Sequence, residues 1–275
     1  MSRITGLLAE KRPLIMGILN VTPDSFYDGG RYNSLSAAKE HALQLLQQGA
    51  DIIDVGGEST RPGANPVPEQ EELDRVIPVI EAIRAETDVC ISVDTSTASV
   101  MEQAAKADCD AVNDVRALTR NGAMPAAAAS GLHVCLMHMQ GQPQTMQEQP
   151  SYIDLVEDIK SFFIDRIEAC RVAGINRKLL ILDPGFGFGK TPEHNLMLIN
   201  RLAEFQSFGL PLLVGLSRKS TIGMITGLSD ARLSGSVAGA IVAVSHGANI
   251  VRVHDVAQTS AALKVVHAIK SERLQ

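Results

Sequence analysis

The stretch LLILDPGFGFGK, Leu179–Lys190, holds the key to the fold, and Thr191-Pro192-Glu193 follows it. Its apolar start is too short for a helix of normal length. Apolar residues at adjacent positions fit a strand covered on both faces. Asp183 ends the run, and glycines at 185, 187 and 189 turn the chain. Thr191, Pro192 and Glu193 then read as an N-cap, a first-turn proline and a first-turn acid. The whole is a strand, a turn and a helix, with Lys190 expected to face solvent just before that helix. Nucleotide templates fail here. A phosphate loop needs glycine where Pro184 stands, and the dinucleotide fingerprint needs glycine where Lys190 stands.

The same unit recurs along the chain. Short apolar runs occur at Leu14–Asn20, Ala50–Gly57, Val89–Thr95, Ala111–Val115, His133–Met139, Leu210–Arg218 and Ala248–Asp255. Between them the period becomes helical: Tyr152, Leu155, Val156, Ile159, Phe162, Phe163 and Ile167 predict an amphipathic helix over Ser151–Ala173. Gly49, Gly131, Gly174, Gly209 and Gly247 read as helix stops before the next strand. GADIIDV at Gly49 and GANIVRV at Gly247 echo each other, a faint sign of a repeated unit. Eight such strands in about 250 residues predict an α/β fold, a single-domain (β/α)8 TIM barrel over residues 1–275, with an open doubly wound sheet as the alternative.

Composition bounds the function. A net charge of −6 without a Lys/Arg run argues against nucleic acid as a partner, though not against a local cationic pocket. Cys90, Cys109, Cys135 and Cys170 are widely spaced, with no C-x-x-C, which fits a reducing cytoplasm rather than a disulfide or zinc framework. No apolar segment is long enough for a membrane span, and the N-terminus is too weakly apolar for a signal peptide.

In a barrel, function belongs to the C-terminal ends of the strands. Those ends carry Asn20, Glu58 to Arg61, Asp94-Thr95, Asn113-Asp114, His138, Asp183, Ser217 to Lys219, Arg252 and His254-Asp255. Plainer readings exist for several of them. Asp94 and Thr95 can cap the helix near Thr97, Asn20 can be a turn residue, and Asp51 and Asp54 can be structural. Arg252 is harder to dismiss, because an arginine inside an apolar strand is costly unless it meets an anion or a carboxylate. His254, two residues on, points to the same side. The pair suggests an anion site. Asp94, Asn113 and Asp183 suggest a reader for a flat heterocycle with adjacent N–H donors, with Lys219 within reach of either.

MGILNVTPDSFYDGG (Met16–Gly30), IDVGGESTRPG (Ile53–Gly63), SVDT (Ser92–Thr95), LMHMQG (Leu136–Gly141), DPGFGFGK (Asp183–Lys190), GLSRKS (Gly215–Ser220) and RVHD (Arg252–Asp255) form an ordered set. The set resembles the motifs of the dihydropteroate synthase family across nearly the whole chain. The resemblance implies a transferase that condenses (7,8-dihydropterin-6-yl)methyl diphosphate with 4-aminobenzoate, giving 7,8-dihydropteroate and diphosphate, with Mg2+. It places Asp94, Asn113, Met137, Asp183 and Lys219 at the pterin, and Asn20 at the metal. Thr60, Arg61, Arg252 and His254 fall to the diphosphate, and Phe26, Pro62, Phe188 and Ser220 to the aminobenzoate. Asp28, Arg61 and Lys219 take catalytic roles, with Asp28 and Arg61 on closing loops, and a homodimer through the late helices is implied. Met137 reads equally well as ordinary core.

Elementary chemistry agrees with that scheme. Diphosphate leaves well once its charge is neutralised, and a dihydropterin can delocalise the cation left behind. The loops TPDSFYDGG (Thr22–Gly30) and STRPGANPVP (Ser59–Pro68) have the composition of covers that exclude water, or of plain surface loops. Two other readings are weighed. A methyltransferase acting on a methylated folate would share the pterin pocket but need no anion clamp, and a non-catalytic pterin binder would need neither the ionisable rim nor the loops.

Overall fold

Eight parallel strands lie where the apolar runs predict them: β1 (Leu14–Asn20), β2 (Ile52–Gly56), β3 (Cys90–Asp94), β4 (Ala111–Asp114), β5 (His133–Met137), β6 (Leu180–Asp183), β7 (Leu213–Val214) and β8 (Ile250–Val253). The computed structural model describes residues 2–22, 30–59, 63–64, 66–227 and 232–273. Hydrogen-bonded neighbours run β6-β5-β4-β3-β2-β1-β8-β7. The seam closes where Leu182 bridges Leu212 and its N–H donates to the Pro211 carbonyl at 2.9 Å. Closure decides between the two architectures in favour of the barrel.

The helices described are α1 (Arg3–Ala9), α2 (Gly30–Gln47), α3 (Glu69–Arg84), α4 (Ala98–Lys106), α5 (Ala123–Ser130), α6 (Leu155–Val172), α7 (Pro192–Asn200), α8 (Ser220–Thr226), α9 (Arg232–Ser245) and α10 (Val256–Ser271). Helix α6 starts later than the predicted Ser151 because Asp154 caps it, accepting from the Val156 and Glu157 N–H groups. Thr191 does cap α7, in a reciprocal box with His194. The glycines expected to stop helices all have positive φ. Among the described residues, no helix is long and apolar enough to cross a membrane.

Side-chain alternation along the strands builds two layers of core. Ile53, Val55, Ile91 and Val93 face outward and are covered by Val76, Ile80, Ile83 and Met101 of the helical shell. The inward positions form a second cluster at the opposite, N-terminal end: Leu14, Ile52, Cys90, Cys135, Ile181 and Ile250. Helix α1, which the periodicity did not single out, closes this end. Ile4 is fully buried against the cluster and Leu7 and Leu8 pack beside it. Burying such side chains stabilises by about 1.5–3 kcal/mol each. Moving up each strand, the inward residues turn polar: Ile52 gives way to Asp54, Cys90 to Ser92 and Asp94, Ile181 to Asp183, and Ile250 to Arg252. The barrel therefore has an apolar floor and a charged mouth.

Candidate active site

Arg252 is the centre of the mouth. Its Nε donates to Asp54 at 2.5 Å and its Nη2 to Asp94 at 2.7 Å. Asn113 donates from Nδ2 to the same Asp54 oxygen at 3.1 Å. Strand register makes this possible, since Asp54 lies opposite Ser92 and Asp94 lies opposite Asn113. Arg252 thus meets carboxylates, one of the two partners its place in an apolar strand demanded. Asp54 is fully buried, and its other oxygen and the Ser92 hydroxyl find no hydrogen-bond partner among the described residues. Such groups are costly inside a protein, and they add acceptor capacity beneath the mouth. Burial pushes the Asp94 carboxyl up to about 7, against the pull of Arg252 and with repulsion from Asp54.

The plainer reading of Asp94 as a helix cap does not hold. Asp94 is taken up by Arg252, and it is the Thr95 hydroxyl that accepts the Thr97 N–H, at 3.0 Å, just before α4 begins at Ala98. The loop after Asp94 is instead held by Glu72, a buried residue of α3 that accepts from the Thr95 and Thr97 hydroxyls at 2.5 Å each. Burial raises the Glu72 carboxyl despite those donors. Nothing in the helical pattern of α3 marks Glu72 except that it falls on the buried face with Val76, Val79 and Ile80.

Asp183 stands at the end of β6, and its Oδ1 accepts the Gly185 N–H at 2.8 Å. Burial raises this carboxyl too, with Lys219 opposing the shift. Lys219 reaches across from the segment after β7. Its Nζ donates to the Phe186 carbonyl and sits 4.3 Å from the Phe188 ring centre, a cation–π distance. Burial draws the Lys219 ammonium down, against the attraction of Asp183 and Asp94. Asp94, Asp183, Arg252 and Lys219 therefore act on one another as a single electrostatic cluster.

Two glycines of the opening stretch have steric reasons. A Cβ on Gly185 would lie 1.8 Å from the His138 carbonyl oxygen, and φ there is +74°. A Cβ on Gly187 would lie 2.9 Å from the Lys219 side chain. The turn thus presses on β5's end with one glycine and on Lys219 with the other. Lys190 corrects the expectation of a solvent-facing side chain. It is 2% exposed, with Nζ 3.0 Å from His138 Nδ1 and 3.1 Å from the Phe188 carbonyl. Burial lowers Lys190 to about 7, and burial and Lys190 together hold His138 down to about 2, so the imidazole is neutral.

The remaining rim residues follow. His254 follows β8, half-buried, with Nδ1 3.0 Å from the Ser217 hydroxyl. Ser217, one of the strand-end residues expected at the rim, also accepts the His254 N–H on its hydroxyl at 3.2 Å. Ser220 is exposed at the first turn of α8. Asn20 ends β1, beside the end of β2, where a Cβ on Gly56 would lie 3.8 Å from its Oδ1. Met137 is buried and, with Val115 and Met139, lines a cleft of about 90 Å³ between the ends of β4 and β5. Val115 is a wall that the sequence reading passed over. Phe26, Asp28, Thr60, Arg61 and Pro62 lie outside the described residues.

Among the described residues no group of three His, Cys, Asp or Glu is arranged to hold a metal ion. Asn20 offers one neutral amide oxygen. That donor set fits Mg2+, which keeps its waters and is bound chiefly through substrate phosphates, better than it fits a caged ion.

Comparison with known proteins agrees with this geometry. A family model described as "Pterin binding enzyme" matches residues 16–254. The dihydropteroate synthase of Escherichia coli (strain K12) is 55% identical over 262 residues, covering 95% of this chain and 93% of that protein. The crystal structure of the Yersinia pestis dihydropteroate synthase with a sulfonamide drug complex superposes with a TM-score of 0.91 at 55% identity, covering 95% of each chain. The Xanthomonas albilineans dihydropteroate synthase with 4-aminobenzoic acid gives a TM-score of 0.89 at 48% identity, covering 94% of each. The chain belongs to the pterin-binding enzymes and, within them, to the dihydropteroate synthases.

Proposed function

We propose that the mouth of this barrel divides the dihydropteroate synthase reaction among its residues: (7,8-dihydropterin-6-yl)methyl diphosphate and 4-aminobenzoate become 7,8-dihydropteroate and diphosphate. The observation that carries the division is the convergence of buried Asp94 and Asp183 with Asn113, Lys219 and Arg252 on one opening. The carboxylates and the Asn113 amide read the N–H edge of the pterin through charge-assisted hydrogen bonds. Arg252 and His254 face the diphosphate, and Thr60 and Arg61 join them. Lys219 and Met137 border the ring, while Phe188, Ser220, Phe26 and Pro62 border the aminobenzoate. The Xanthomonas albilineans relative, solved with 4-aminobenzoic acid, supports that second substrate.

The chemistry follows from these positions. The methylene C–O bond breaks with its electron pair leaving on diphosphate, whose charge Arg252 and His254 offset. Asp94 and Asp183 stabilise the positive charge spread through the pterin. The aminobenzoate nitrogen forms the new C–N bond with its lone pair and then loses a proton, which needs no strong base because an arylammonium is acidic. Asn20 would hold Mg2+, which supplies Lewis-acid neutralisation of the phosphate oxygens when bound. Asp28 and Arg61 would exclude water, which otherwise competes for the cation.

A homodimer and a cytoplasmic setting belong to the same proposal. Leu196 and Met197 of α7, Met224 and Ile225 of α8, and Val242 of α9 are exposed and apolar, beside a cleft of about 420 Å³ lined partly by Leu196, Ile225 and Val242. Such a patch suits a second copy of the chain, and sedimentation reads the outcome. All four cysteines are free, which suits a reducing compartment. The decisive assay supplies the pterin diphosphate, 4-aminobenzoate and Mg2+ and measures released diphosphate. Release well above a Lys219→Ala control is expected. Release no higher than that control rejects the division of roles.

A further inference from the structure

The turn between β6 and α7 has no regular structure of its own to fix it. It must nevertheless hold Phe188 still while Lys219 lies over the ring. From the mouth side, Lys219 does part of this, donating to the Phe186 carbonyl. The Gly187 N–H donates to Asn195 Oδ1 at 2.6 Å and its carbonyl accepts from Gln147 Nε2 at 2.8 Å, while from behind a second ammonium holds the Phe188 carbonyl. Lys190 runs inward, 2% exposed, and Nζ meets the Phe188 carbonyl at 3.1 Å and His138 Nδ1 at 3.0 Å. His138 is itself fixed, edge-on to Phe162 with ring centres 4.9 Å apart. Tyr152 completes the rear wall. Its hydroxyl donates to the Gly189 carbonyl at 2.6 Å, and its ring lies 5.9 Å from Lys190 Nζ.

Packing alone does not account for a lysine here. A methionine would fill nearly the same volume without carrying a charge out of water. What methionine lacks is a donor that points two ways, to a fixed ring nitrogen on β5's end and to a carbonyl within the turn. That carbonyl belongs to Phe188 itself, so its direction and the setting of the Phe188 ring are linked through one residue.

We propose that Lys190 is a positioning residue for the second substrate: by tying the Phe188 carbonyl to His138, it fixes the plane in which the Phe188 ring meets 4-aminobenzoate. This rests on the reading above that Phe188 borders the aminobenzoate. Lys190 touches neither substrate and acts through the turn.

Steady-state kinetics of the full chain with Mg2+ test this, using Lys190→Met, Phe188→Ala and the double variant. Lys190→Met is expected to raise the KM for 4-aminobenzoate about tenfold, while the KM for the pterin diphosphate moves less than about threefold. The double variant should be no worse than Phe188→Ala alone. An unchanged aminobenzoate KM in Lys190→Met, with a raised one in Phe188→Ala, overturns the proposal and leaves the underlying reading standing. An unchanged KM in Phe188→Ala overturns the underlying reading, and the proposal with it. Additive effects in the double variant also overturn it, because Lys190 would then act by another route. If Lys190→Met is not recovered folded, His138→Leu takes its place, removing the acceptor while leaving the turn's sequence intact. It should raise the same KM, and an unchanged value overturns the proposal.

Discussion

Asp94 on β3 and Arg252 on β8 meet at 2.7 Å across the barrel mouth, although 158 residues separate them. The same guanidinium holds Asp54, so one cation balances two buried carboxylates. Arg252→Met should therefore destabilise the protein by about 3–5 kcal/mol, the scale for stranding a buried charge. The loss should shrink on acidification, because protonated carboxyls need no counter-ion. Urea unfolding at several pH values checks both statements.

Asp183→Asn keeps the shape of the side chain and removes its charge. Pterin affinity should fall by about 1.5–3 kcal/mol, the range for a hydrogen bond to a charged group. Calorimetric titration with a pterin reads this directly. Unchanged affinity would return Asp183 to a purely structural role at the end of β6.

Acid should weaken pterin binding earlier than ordinary carboxylates would allow. In the proposed division the pterin edge is held by ionised carboxylates, and burial raises both Asp183 and Asp94. Affinity is full above the raised value and is lost as pH falls through it, which for Asp94 is about 7. A pterin dissociation constant flat from neutral pH down to the ordinary carboxylate range would contradict this.

Lys190 should leave a mark on stability. Its folded pKa is lowered from 10.5 to about 7 by burial, with Asp183 opposing and Lys219 assisting. Between those values the unfolded chain holds more protons, so stability from this group rises with pH across the interval. Relative to Lys190→Met, the natural protein should gain up to about 1.4 kcal/mol per pH unit there. Thermal unfolding of the two proteins over that interval gives the difference, and parallel curves would be inconsistent with a buried titrating ammonium.

Asn20→Ala should raise the Mg2+ concentration needed for half-maximal rate by roughly tenfold, on the scale of one lost supporting contact to a metal. Titrating Mg2+ in the diphosphate-release assay measures it. An unchanged requirement would leave Asn20 as a turn residue.

The strands were legible because burial on both faces leaves uninterrupted apolar runs, and the αL glycines marked where helices end. Helix α1 was not, since a single fully buried side chain, Ile4, does most of its work and leaves no periodic trace. Asp183 was legible from its place at the end of β6, and Lys219 from the polar segment that follows β7. The partners of Arg252 were not, because Asp54 is 198 residues away and only barrel closure brings them together. Lys190 was misread for the same reason: a lysine before an N-cap usually faces water, and what turns it inward is His138, 52 residues earlier.

The plug that α1 makes beneath the strands gives the barrel a direction. With Ile4 sealing the floor, the mouth is a cul-de-sac, and the proposed division gives its depth to the ring that Asp94, Asn113 and Asp183 would read. Traffic in a cul-de-sac obeys a queue: whatever sits deepest must come in before its neighbour and depart after it. Under the proposed division, diphosphate would have to leave on the same side by which the arylamine enters, and a helix of seven residues at the opposite end of the strands sets that rule.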